Sequence, residues 1–117
     1  MNKFYGNVKT RILQAISGAI SIIATERYDS SCSALVFSLE KQMVCKSDYE
    51  MYNKILDIYR DNLFAREGVG GFSDCKFWNW YWESKKKKVR IERLTKLYFA
   101  VEKSNSLTDV VENLKNS

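Results

Sequence analysis

The chain contains no histidine and no proline. The first absence removes the commonest general base and the commonest metal ligand together. The second leaves no residue that must break a helix interior. Glycine is scarce, 5 of 117 residues, and three of the five cluster at Gly68, Gly70 and Gly71. Cysteine is limited to Cys32, Cys45 and Cys75. An odd number, widely spaced and without a C-x-x-C pair, points to reduced thiols acting as small core residues in a cytoplasmic protein, with one disulfide plus a free thiol as the alternative.

An acidic excess is lacking as well. Nineteen Lys and Arg face fourteen Asp and Glu, for a net charge of +5. This argues against a DNA mimic, whose surface must be strongly acidic. It permits contact with nucleic acid, an acidic protein surface or an anionic membrane. There is no long hydrophobic run. The apolar stretch Ile12 to Thr25 follows Lys3, Lys9 and Arg11, so a signal peptide has to be weighed. The stretch is too short and too serine-dotted to cross a bilayer, which takes about 20 residues. No membrane partner is expected.

What is present suits one globular domain spanning residues 1–117. Hydrophobic residues make up 45% of the chain, enough for an ordinary core. Val8, Ile12, Ala15, Ile16, Ala19, Ile20 and Ile23 recur at helical spacing, with Leu13 and Ile22 off that stripe. A helix apolar on more than one face is central to its bundle. Gly18 is expected to let a neighbouring helix approach closely, and Glu26 to Asp29 closes the element. Ser30 or Ser31 caps a second helix. Its inner face is Cys32, Leu35, Val36, Leu39 and Met43, with Phe37 and Val44 apart from it. Ser47 to Glu50 has the S-x-x-E form of a capping box and opens a third helix through about Arg66. Tyr52, Ile55, Leu56, Tyr59 and Leu63 supply its buried face. Asp57 and Asp61 lie four apart, but with no third ligand they read as a solvated charged face.

Gly68, Gly70 and Gly71 stop that helix. GVGG lacks the G-K-[ST] of a phosphate-cradling loop and lacks a preceding strand, so no nucleotide site is expected. Ser73 or Asp74 caps the next helix. On it Phe77, Trp78, Tyr81 and Trp82 share one side, and Trp80 projects elsewhere. These rings either fill the core or anchor a partner, since Trp and Tyr dominate binding hot spots. Lys85, Lys86, Lys87 and Lys88 come next, then Arg90 and Arg93. Cations oppose the dipole at a helix start, so either the helix begins earlier, near Asp74, or these lysines meet an anionic surface. Ile91, Leu94, Tyr98 and Val101, flanked by Leu97, carry a helix to Lys103. Ser106 to Asp109 caps a last short helix with an apolar face of Leu107, Val110, Val111 and Leu114. That helix either covers the bundle end or docks on a second copy.

The expected fold is all-α, a compact irregular bundle of four to five helices. A minority reading makes a strand of Cys75 to Trp82, with Ser33 to Leu39 as a weak partner. No catalytic set, metal site or cofactor site converges in the sequence. The expected function is a small non-enzymatic protein-binding module, an inhibitor or adaptor. Its binding set is Trp78, Trp80, Lys85, Lys86, Lys87, Lys88, Arg90 and Arg93. Its target is a larger protein or complex with an acidic or nucleic-acid-binding surface, and a homodimer is a further option. In size and in lacking a catalytic set, the chain looks like phage and mobile-element accessory proteins that inhibit host machinery, anti-defence and immunity proteins among them. That likeness is of type and rests on no motif. The alternative is a small basic nucleic-acid-binding regulator, touching phosphates through Lys85, Lys86, Lys88, Arg90 and Arg93. An enzyme with Cys75 as thiol nucleophile is the third reading.

Overall fold

The computed structural model describes residues 3–25, 31–64 and 87–116. Expectations that fall on residues 26–30 and 65–86 lie outside the described residues. They comprise the close of the first helix at Glu26 to Asp29, the glycine stop, the aromatic cluster, the strand alternative, Cys75, and Trp78, Trp80, Lys85 and Lys86 of the binding set.

Helix α1 runs Val8–Thr25, α2 Ser31–Lys41 and α3 Lys46–Tyr59. The last passes directly into a π-helical turn, Arg60–Phe64. Helix α4 runs Lys87–Glu102 and α5 Leu107–Lys115. Among the described residues there is no strand, only an isolated antiparallel bridge between Lys3 and Ser106. Ser33 to Leu39 is helical. The fold is therefore the all-α bundle the periodicity predicts.

Helix α1 is its centre. Val8, Ile12, Ala15, Ile16, Ala19 and Ile23 are buried, and Leu13, Ile20 and Ile22 pack half-buried around them. It packs chiefly against α2 on one side and α4 on the other. Lys9 Nζ donates to the Glu102 carbonyl at 2.8 Å, placing the start of α1 beside the end of α4. A cation there also satisfies an orphan carbonyl and complements the helix dipole. Helices α2 and α3 are likewise antiparallel. Ser31, the first residue of α2, hydrogen-bonds through its hydroxyl to that of Tyr59, the last of α3. Both residues are buried, so the pair satisfies two hydroxyls that would otherwise be costly to enclose. At the other end Tyr52 Oη donates to the Gln42 carbonyl at 2.8 Å.

Gly18 faces α2 as expected. A β-carbon added there would stand 3.4 Å from Ser38 Oγ and 3.8 Å from Ser38 Cβ. That is ordinary contact, so alanine fits. Replacing glycine by alanine in a helix interior gains up to about 1 kcal/mol of propensity. Gly18→Ala is therefore expected to raise the melting temperature by a few degrees, whereas Gly18→Leu overpacks the crossing and costs about 1–3 kcal/mol. Paired thermal melts check this, and a destabilised Gly18→Ala would show the crossing to be tighter than described.

The sequence pattern misplaces two faces. It puts Met43 inside, but α2 ends at Lys41 and Met43 is exposed on the turn beyond it. In α4 the buried positions are Leu94, Leu97, Ala100 and Val101, with Ile91 and Tyr98 only half-buried. The helix is rotated relative to the expected stripe, and the face it turns inward also carries Arg90 and Arg93. Helix α5 packs back on α4 and on the π-helical turn, as the bundle-covering reading requires. Ser106 caps it, its hydroxyl accepting from Asp109 N–H at 3.2 Å. The buried Ser104 hydroxyl donates to the Ala100 carbonyl and accepts from Asn113 Nδ2 at 2.8 Å, which fixes the α4–α5 turn.

Candidate functional site

The corner between α2 and α3 is built around one carboxylate. Asp48 is fully buried and accepts four hydrogen bonds. Arg11 Nη2 and Tyr5 Oη each donate to its Oδ1 at 2.9 Å. The backbone N–H groups of Val44 and Cys45 donate to its Oδ2 at 3.0 and 3.1 Å. The capping box is thus real but shifted. Cys45, not Ser47, is the N-cap, and Asp48, not Glu50, reaches back to the backbone. The shift is a consequence of burial: Asp48 can meet Tyr5 and Arg11 as well as the helix start, whereas Glu50 is exposed.

Burial alone would raise the Asp48 pKa. The bonds from Val44, Tyr5, Cys45 and Arg11 outweigh it and hold the group at about 2. Burial, and then the nearby Asp48 charge, push the Tyr5 phenol upward against a lowering contact from Ser47. The Tyr52 phenol is raised mainly by burial. A carboxylate enclosed by four donors and ionised down to pH 2 is a poor proton acceptor at neutral pH. Its work is to hold the N-terminal segment, α1 and the α2–α3 turn in one arrangement.

On that locked corner the turn presents apolar groups to solvent. Val44 is 73% exposed, Tyr49 58% and Met43 41%. Together with Cys45, Lys46, Ser47 and Glu50 they line an open groove. Cys45 is a free, exposed thiol, which departs from the expectation of a core cysteine because it sits on the turn rather than on a helix face. Elsewhere, exposed rings stand more singly. Lys41 Nζ covers Phe37 at 4.3 Å from the ring centroid, and Phe99 meets Tyr98 edge-on at 5.7 Å.

The sequence-derived binding set is only partly in view. Lys87 opens α4 and Lys88 is exposed one residue later. Arg90 and Arg93 are 5% and 4% exposed. Lys88 and the two arginines therefore do not share one solvent-facing stripe. Asp57 is exposed and lies 3.9 Å from Arg60 Nη1; Asp61 is exposed too, in keeping with a solvated charged face. Among the described residues no three His, Cys, Asp or Glu side chains gather as a metal site, and no helix is long and apolar enough to cross a membrane.

The residue pattern sets Val44 apart from the α2 face but gives it no role, and it does not single out Tyr49. The signal that could have found them is the Q-M-V-C turn itself: two large apolar residues between a helix end and a helix cap, where polar turn residues are usual. In comparisons with protein families, curated proteins and solved structures, the chain matches none of them.

Proposed function

We infer that the chain is a small non-enzymatic binding module, an inhibitor or adaptor that occupies a surface of a larger protein. The observation that carries this reading is the α2–α3 corner: Met43 and Val44 on the turn and Tyr49 on α3 are exposed together, and Asp48 bonds the Val44 and Cys45 N–H groups of that turn. Tyr and Met side chains are enriched at interface cores. A surface already fixed before binding loses little conformational entropy on association. The basic run that ends at Lys88 adds steering toward an acidic or nucleic-acid-binding target. The exposed Cys45 thiol suits a reducing compartment, and the cytoplasm is the proposed setting.

The test is capture from lysate of the source cells with and without nuclease, then calorimetry with the purified partner. Wild type is compared with Val44→Asp and with a Trp80→Ala/Lys86→Ala/Lys87→Ala variant, each checked for helical content. The expected result is one protein partner that survives nuclease and binds Val44→Asp at least about tenfold more weakly, as for loss of an interface anchor. Recovery of nucleic acid alone, with salt-dependent affinity, would replace this reading with the small basic regulator. Retention of the partner by both variants would dismiss the corner and the basic segment alike.

A further inference from the structure

We propose that the α2–α3 corner also pairs with a second copy of itself, through a two-fold contact between the first turns of two antiparallel α3 helices. The inference rests on reading this corner as a binding surface.

The argument begins with charge. Lys46 and Glu50 are both exposed and stand four residues apart on α3, on the same face and flanking Tyr49. Such a spacing commonly gives an ion pair within the helix. Here it does not: the ion pairs among the described residues are Arg11 with Asp48 and Asp57 with Arg60. Lys46 also stands in the first turn of α3, where a cation opposes the helix dipole. Its charge gains from an external anion.

A two-fold axis supplies that anion. In an isologous contact, if residue i meets residue j, then j meets i. Two α3 helices crossing antiparallel near Asp48 set Lys46 of each copy against Glu50 of the other. The pattern is self-complementary, with opposite charges symmetric about the crossing point. The apolar groups fit the same symmetry. Val44, 73% exposed, lines the open groove together with Met43, Cys45 and Tyr49. The two-fold sets these exposed apolar groups of each copy beside those of the other. The contact is small beside the roughly 20–30 residues a side of a standard interface. The dimer is accordingly weak and concentration-dependent, and a tighter-binding partner displaces it.

Sedimentation velocity on the full chain, from micromolar to near-millimolar concentration, tests this. Wild type is expected to shift from monomer to dimer across that range. Lys46→Glu places like charges opposite one another and is expected to weaken association at least about tenfold. Lys46→Glu with Glu50→Lys restores complementarity and is expected to recover it. Val44→Asp, on the exposed turn, abolishes it. A wild type that stays monomeric overturns the proposal, as does a dimer indifferent to Lys46→Glu or one that the double exchange fails to restore. Failure of the partner-binding reading would look different. In that case capture is unaffected by Val44→Asp, whatever the sedimentation shows.

Discussion

Replacing Asp48 by alanine is expected to lower folding stability by about 3–4 kcal/mol, as when one member of a buried, hydrogen-bonded pair is removed. The substitution leaves Arg11 without its counter-charge and the Tyr5 hydroxyl without its acceptor. It also orphans the Val44 and Cys45 N–H groups at the start of α3. For a domain of this size the loss amounts to a drop of about 10–20 °C in melting temperature. Asp48→Asn keeps one acceptor oxygen and gives up the charge, so its cost falls between wild type and Asp48→Ala. Acid separates the ionic part. The Asp48 pKa is lowered from 3.8 to about 2 on folding. The unfolded chain therefore binds more protons between those values, and stability falls as pH falls through them. The contribution is complete above about pH 5 and gone below pH 2, and it amounts to about 2 kcal/mol. Urea titrations at pH 6, 4 and 2.5 should show the gap between wild type and Asp48→Asn narrowing by about two-thirds of that amount, the rest being lost at still lower pH. A gap that stays constant with pH would mean the carboxylate draws no net stability from its charge, and an Asp48→Ala cost under about 1 kcal/mol would mean the network contributes nothing net.

The second large effect is expected at Ile16. This side chain is wholly buried on α1, the helix gripped by both α2 and α4. Truncation to alanine removes three carbons from a site enclosed on both sides, and such sites collapse poorly, so the cost is about 2–5 kcal/mol. Ile22 is the control, on the same helix and of the same type but half-buried. Ile22→Ala should cost less than half as much. Denaturant midpoints at unchanged m-value check the pair. Equal costs at the two positions would remove α1 from the centre of the bundle.

Much of this architecture can be read from residue pattern. The apolar positions of α1, from Val8 to Ile23, are legible because a central helix shows its burial on several faces. The α5 cap at Ser106 is legible because a short polar side chain before an apolar run has few other uses. The failures share a physical cause. Periodicity assumes that charged residues face water, and in α4 the buried Arg90 and Arg93 break that assumption. The capping motif is recognisable by type, yet the pattern misplaces it by two residues. Local sequence cannot show that Asp48 has distant partners in Tyr5 and Arg11 to draw it inward. Met43 is misassigned because periodicity continues past a helix end that it does not mark. The exposed corner is illegible for a related reason. It joins residues on a turn to a tyrosine on the next helix, and only the fold of α2 against α3 brings them together.

The grip of α4 on α1 has a consequence for how the chain acquires its structure. The two helices are far apart in sequence, and the bond from Lys9 to the Glu102 carbonyl spans 93 positions. Contacts of such separation form late, because a long loop must close before they contribute. Helices α1, α2 and α3 can associate from near neighbours alone, yet one apolar side of α1 stays open to water until α4 arrives. During synthesis that side remains uncovered while most of the chain is being made. The time of greatest exposure to self-association or to chaperone binding is therefore set by the distance between the two ends of the core, not by any weakness in its packing.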